Sequence, residues 1–200
     1  MRKVLWGYST DPQFDREEAV RLARLALSID GDDAETLAWA AVVSAFMVGD
    51  SESEIEMADR AVALNPNSLH AWHNRGWVYR NAGLPEEAVW SFERAIRMSP
   101  VDPRLHYAFN GMGTSLIELR RFDEAIVAGK KILRQKASAL GVGAAYRVLA
   151  SAFAPLGRDV EAREAAARLL EVDPAFTISA RVGRREKLLI EGLRKAGLPE

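Results

Sequence analysis

Small residues and prolines recur along this chain at steps of 34 and 37 residues, and that period constrains the fold more than anything else in it. Pro66 precedes Pro100 by 34 residues, Ala61 precedes Ala95 by 34, and Gly49 precedes Gly83 by 34. Downstream the step is 37, from Gly76 to Gly113 and from Ala88 to Ala125, and it repeats at Ala150 and Ala162. Pro174 lies 74 residues, two such steps, after Pro100. A period of this size belongs to stacked repeats, in which each supersecondary unit buries its apolar face only against its neighbours. Within one period the spacing is helical. Trp72, Gly76, Tyr79, Gly83, Ala88, Phe92, Ala95 and Pro100 are 4, 3, 4, 5, 4, 3 and 5 residues apart. Each step of 3 or 4 returns to the same helix face.

Strand signals are nearly absent: there is no sustained alternation of β-branched and polar residues and no Asn-Gly or Asp-Gly hairpin turn. Short breakers such as Asp11-Pro12, Gly31-Asp32, Gly83-Leu84-Pro85, Ser99-Pro100 and Asp173-Pro174 divide segments of helical composition. With 48% hydrophobic and 28% charged residues in 200, the chain has the balance of a folded globular protein. It contains no Cys, which excludes disulfides, thiolate metal sites and a cysteine nucleophile. No run is expected to approach the roughly 18–20 apolar residues a membrane helix needs, and Met1–Thr10 lacks the apolar core of a secretory signal. The formal charge of −1 hides an asymmetry. Residues 1–100 carry 10 Lys and Arg against 16 Asp and Glu, giving −6; residues 101–200 carry 17 against 12, giving +5. The basic half has no dense Lys/Arg run with interleaved aromatics, so nucleic acid is not an expected partner.

The Trp72-to-Pro100 pattern resembles the tetratricopeptide repeat (TPR), and it is carried by residues 69–102. Gly76 is small where a neighbouring helix approaches, Ala88 and Ala95 do the same on the second helix, and Gly83 and Pro100 end the two helices. The resemblance implies an all-α fold, a solenoid of antiparallel helix pairs in a right-handed superhelix with a C-terminal capping helix. The boundaries expected are a partial repeat at 1–31, repeats at 32–67, 68–102, 103–137 and 138–174, and a cap at 175–200. Ala19 and Ala26 stand seven apart like Ala88 and Ala95, yet only Met1–Tyr8 remain for the helix before them. The chain therefore reads as starting inside a repeat, the alternative being a short divergent N-terminal cap. The three residues added in the longer steps fall around Asp102-Pro103-Arg104 and Ser138-Ala139-Leu140, and are expected to lengthen the first helices by about one turn. Arg184 to Ala196 reads as the capping helix, with Leu188, Leu189 and Leu193 covering the pair that ends at Asp173.

Four stretches also resemble the C-terminal helical region of bacterial, rhizobial-type class III adenylate/guanylate cyclases. They are Ile29–Asp33 before Ala34, Asp59–Asn67, Ala95–Pro103 with its Ser-Pro-x-Asp-Pro junction, and the ending Glu191–Glu200. That resemblance implies a catalytic domain upstream in a parent chain, with the repeats regulatory or protein-binding. None of a cyclase domain's metal-binding aspartates or purine-recognition motifs can be assigned here, so no catalytic residue, cofactor or metal site is expected in this segment.

Gly111-Met112-Gly113 does not follow a strand and lacks a third glycine on schedule; Gly113 is a packing position. Asp30-Gly31-Asp32-Asp33 lacks the spaced ligands and terminal Glu of a calcium loop and reads as a helix stop followed by a helix cap. His70 and His73 share a helix, and His106 begins the first helix of the next repeat; convergence of the three on a metal is left open. In the TPR pattern the first helix of each pair builds the inner face. The inward positions here are Trp39 and Val43, then His70, His73 and Trp77, then Tyr107, Asn110 and Thr114, then Arg147 and Ser151. Of these, Trp39, His70, His73, Trp77, Tyr107, Asn110 and Arg147 are the candidate protein-binding residues, because aromatics, amides and Arg suit an extended peptide or a small helix. The carboxylate clamp of chaperone-binding repeats does not match, since His73, Trp77 and Gly111 stand at its positions. The expected partner is a protein or peptide, among them the upstream domain of the same chain or a second copy, with no membrane and a cytoplasmic location. The competing readings are a free-standing adaptor and a groove-based metal or small-ligand binder.

Overall fold

A computed structural model describes residues 9–135, 138–181 and 186–200. Among these residues the structure is helical throughout, with no strand. The helices are α1 (Pro12–Ile29), α2 (Ala34–Met47), α3 (Ser51–Leu64), α4 (Leu69–Asn81), α5 (Pro85–Met98), α6 (Leu105–Glu118), α7 (Phe122–Leu133), α8 (Ala139–Phe153), α9 (Asp159–Val172), α10 (Ile178–Arg181) and α11 (Lys187–Lys195), with a 3₁₀ turn at Ala154–Leu156 after α8. They form two compact units, Met1–Ser99 and Pro100–Glu200. The incomplete first helix expected at Met1–Tyr8 lies outside the described residues, as do residues 184 and 185, where the capping run was expected to begin.

In the first unit the starts of α1, α2 and α4 are set by short polar side chains. Asp11 accepts from the Phe14 amide at 3.0 Å, Asp33 from that of Thr36 at 2.7 Å, and Ser68 from that of Ala71 at 3.1 Å. Each satisfies an amide that has no partner inside its own helix. Pro12 and Pro85 sit in first turns, where a missing N–H costs nothing. α2 packs on α1, α3 and α4, and α4 on α3 and α5. The interfaces are built of small residues: Ala41, Val42, Ala45, Ala58 and Val78 form one buried cluster, and Leu37, Ala38, Ala61 and Ala71 another. Alanines let helix axes approach while still removing apolar surface from water. Phe92 of α5 is fully buried, and a Cβ built on Gly76 would lie 2.7–2.8 Å from three of its ring atoms. Gly76 is therefore the space that the ring occupies.

In the second unit α8 is central, packing on α6, α7, α9 and α11. At the 37-residue counterpart of Phe92 the chain has Gly129. A Cβ there would meet Leu149 Cγ at 2.9 Å, so α7 lies close on α8. Gly113 is closed by Val148, whose Cγ1 would be 2.9 Å from a Cβ. The turns from first to second helix repeat one backbone conformation. Gly49, Gly83, Arg120 and Gly157 have φ of 85°, 81°, 58° and 70°. Three are glycines, to which this left-handed region is open; Arg120 occupies it with a side chain.

The added residues divide differently from expectation. Around Asp102-Pro103-Arg104 they mostly lengthen a connection: Ser99–Arg104 separates α5 from α6, against Asn65–Ser68 between α3 and α4, and α6 has 14 residues to the 13 of α4. Pro103 disfavours helix in the residue before it, which keeps this stretch in the loop. The second addition does extend a helix, since α8 has 15 residues and the 3₁₀ turn adds 3. That stretch, Ala139–Leu156, is long and apolar enough by length and composition to cross a membrane, which corrects the expectation that no run reaches it; 56% of it is buried, the environment of a core helix. The C-terminal helix also lands differently. Leu189 and Leu193 are fully buried and Leu188 half-buried, but α11 lies on α6, α8 and the 3₁₀ turn rather than across the α8–α9 end.

Candidate functional site

The seven candidate residues divide between the units, four in the first and three in the second. In the first unit α2 and α4 lie side by side and present an aromatic face. Trp39 on α2 is 45% exposed, and its ring centroid is 6.3 Å from that of His70 on α4. His70 Nδ1 lies 3.0 Å from Glu35 Oε1, tying the two helices together. Trp77 donates its indole N–H to His73 Nε2 at 3.2 Å, while His73 Nδ1 lies 3.1 Å from Asn74 Oδ1. The two contacts match the tautomer with its proton on Nδ1. Trp77 packs edge-on against Phe92 at 5.6 Å and tilted against Phe46 at 5.8 Å, with the Arg80 guanidinium 5.3 Å from its ring. His73, Trp77 and Phe46 are half-buried.

The second unit differs. Tyr107 is half-buried and packs on His106, their centroids 4.1 Å apart. Asn110 is buried, and its Oδ1 accepts from Arg147 Nη2 at 3.3 Å. Burial pushes the Arg147 pKa down to about 10, which leaves it a cation at neutral pH. Thr114 is buried and returns its hydroxyl to the Asn110 and Gly111 carbonyls at 3.1 and 3.0 Å. Ser151 is fully buried and donates to the Leu189 carbonyl of α11 at 3.0 Å. Asn110, Thr114 and Ser151 thus offer no open surface, and of the three Ser151 bonds to α11.

The histidines have separate partners: Glu35 for His70, Asn74 and Trp77 for His73, and the Pro103 carbonyl at 3.1 Å for His106. Among the described residues no three His, Asp or Glu side chains come together as a metal set.

One arrangement escaped the sequence reading. Arg75 Nε donates to Asp59 Oδ1 at 2.7 Å and its Nη1 to Ser91 Oγ at 2.6 Å. The guanidinium lies 4.0 Å from the Tyr79 ring, and the Tyr79 hydroxyl donates to Asp59 at 2.8 Å. Burial, then the Asp59 carboxylate, pushes the Tyr79 phenol up. Beside it Trp90 meets Trp72 edge-on at 4.9 Å. This network joins α3, α4 and α5 and is structural. Its only sequence signal is that Asp59 and Ser91 each stand 16 residues from Arg75.

Residues 57–89 match the family model described as Tetratricopeptide repeat. The small glutamine-rich tetratricopeptide repeat-containing protein 2 of Mycosarcoma maydis is 30% identical over 82 residues, which is 41% of this chain and 22% of that protein. The chain thus spans about a fifth of the length of that relative. A thermophilic TPR protein of Thermus thermophilus superposes with a TM-score of 0.67 at 23% identity, covering 94% of this chain and 96% of that one. The chain has the tetratricopeptide repeat fold. YrrB, described as a TPR protein with an unusual peptide-binding site, superposes at 0.58 with 22% identity over 87% of this TPR chain and 90% of its own.

Proposed function

We propose that this TPR chain is a non-catalytic interaction module that holds a peptide or protein segment against the α2–α4 face. The observation that carries this reading is the exposed Trp39 beside His70, continued by the half-buried rings of His73, Trp77 and Phe46. Large apolar rings next to hydrogen-bonding groups are the anchors that dominate protein interfaces. The peptide-binding site named for YrrB, a protein of the same fold, supports it. The test is an immobilised peptide array probed with the whole chain. Trp39→Ala is expected to weaken selected peptides by roughly 30-fold, about 2 kcal/mol, with an unchanged melting curve. Retained affinity in Trp39→Ala, with loss on changing the outer Trp90, overturns the assignment.

A finer reading makes this module the cytoplasmic regulatory end of a cyclase-type signalling chain, acting on the upstream domain of that chain. It rests on the Ser99–Pro103 junction and the Glu191–Glu200 ending, and the matches above speak only for the repeats. The rival is a free-standing adaptor. The coding sequence before Met1 separates the two, and a second copy as partner is read by sedimentation.

A further inference from the structure

The second unit already carries a helix on its first-helix face, and that helix belongs to the chain itself. We propose that α11 is an intramolecular ligand of the α6–α8 face, which the chain surrenders to an amphipathic helix of another protein bearing the same pattern. The proposal deepens the reading above, since it assumes that first-helix faces are where this fold takes its partners.

Four observations carry it. The docked side of α11 is apolar, with Leu189 and Leu193 fully buried one turn apart. Between them and α8 the backbones nearly touch. A Cβ on Gly192 would lie 2.4 Å from both the carbonyl oxygen and Oγ of Ser151, so any side chain at 192 collides with main chain. The ends of α11 are recognised as well. Glu118 Oε1 of α6 accepts from the Leu189 amide at 3.2 Å, and Lys195 Nζ donates to the Ala154 carbonyl at 2.7 Å. Finally, α11 has only nine residues. An isolated helix this short is marginal in water. Here one of its first-turn amides is met by a carboxylate from another helix. Folding and docking of α11 are therefore one event, which is the behaviour of a bound peptide helix.

The occupant's chemistry can be read from α11: two leucines four residues apart, a glycine just before the second, and a cation two residues after it. In sequence α11 begins six residues after the end of α10, and so small a separation gives it an effective concentration on the order of millimolar. A free peptide of the same sequence then competes poorly with it.

The experiment uses a fluorescent peptide of residues 186–200 and the whole chain, read by anisotropy. The parent chain is expected to bind it weakly. Gly192→Leu in the chain should expel the resident helix and raise affinity for the peptide at least about 10-fold, while a peptide carrying the same change binds neither protein. Equal binding to parent and variant overturns the proposal. So does a Gly192→Leu chain that no longer folds, since α11 would then be part of the core. Hydrogen exchange on the parent chain needs no variant. Amides of residues 190–196 should exchange far faster than those of 148–152, and equal protection overturns the proposal. Failure here with Trp39 dependence intact removes only the role of α11. Loss of Trp39 dependence with peptide exchange intact removes only the α2–α4 reading.

Discussion

The two units share one repeat and use it differently. On the first-helix face of the first unit, rings of Trp39, His70, His73 and Trp77 stand open or half-open. On that of the second, Asn110, Thr114 and Ser151 are buried and α11 lies in place. Residue size accounts for the contrast. Bulky rings hold an incoming backbone at a distance, whereas Ser151 and Gly192 let two backbones meet. The core shows the same alternation, with Phe92 filling the space beside Gly76 and Gly129, its counterpart, drawing α7 onto Leu149. Charge follows the division too, because the −6 and +5 halves coincide with the two units. The helical period sets where helices run, and the residues at a few recurring positions set what each face accepts.

The largest expected effect concerns the ring that only the first unit has. Phe92→Ala should cost about 3–5 kcal/mol, measured by denaturant unfolding. A loss below 1 kcal/mol would mean that the Gly76 space closes without the ring, and the contrast between the cores would fail. Next is Gly129→Ala, which should cost about 1–3 kcal/mol by overpacking Leu149; a neutral result would show that α7 and α8 can part. The shared left-handed turn sharpens the comparison with opposite signs. Arg120→Gly should raise stability by up to about 1 kcal/mol, and Gly83→Ala should lower it by a similar amount. Equal signs in thermal melts would show that the two turns are not equivalent. The smallest effect is a pH dependence in the first unit. Burial, opposed by hydrogen bonds from Ser44 and the Asp50 amide, raises the pKa of Glu54. Its folded form therefore holds the proton more tightly than the unfolded chain. The associated stability is present below the ordinary value of 4.5 and is lost as pH rises through the raised one. Glu54→Gln should flatten that part of the stability–pH curve, and an unchanged curve would place its cause elsewhere.

The helices themselves were legible because a 34- or 37-residue recurrence and steps of 3 and 4 are local properties of the chain. Gly76 was legible as a close approach for the same reason, although which ring occupies the space was not. The apolar side of α11 could be read from Leu189 and Leu193. The surface beneath it could not, because its partners Glu118 and Ser151 lie 71 and 38 residues from Leu189. Arg75 was hidden likewise, its network depending on how α3 and α5 flank α4. Ser151 stands at an inward position of the repeat, but a period says nothing about whether the chain's own end covers it. Arg120 breaks the glycine pattern by one residue, so the turn it shares with Gly83 became visible only in its backbone angle.

The carboxylate of Glu118 and the carbonyl of Ala154 give the α6–α8 face a direction as well as a shape. Glu118 meets an amide near the start of α11, where the helix dipole is positive, and Ala154 takes the cation of Lys195 at the negative end. A helix with the same leucines and glycine laid down in the opposite sense would set its terminal carbonyls against the Glu118 carboxylate and bring amides without a lysine to Ala154. The face therefore distinguishes a sequence from its reverse, and two segments of identical composition would compete for it unequally.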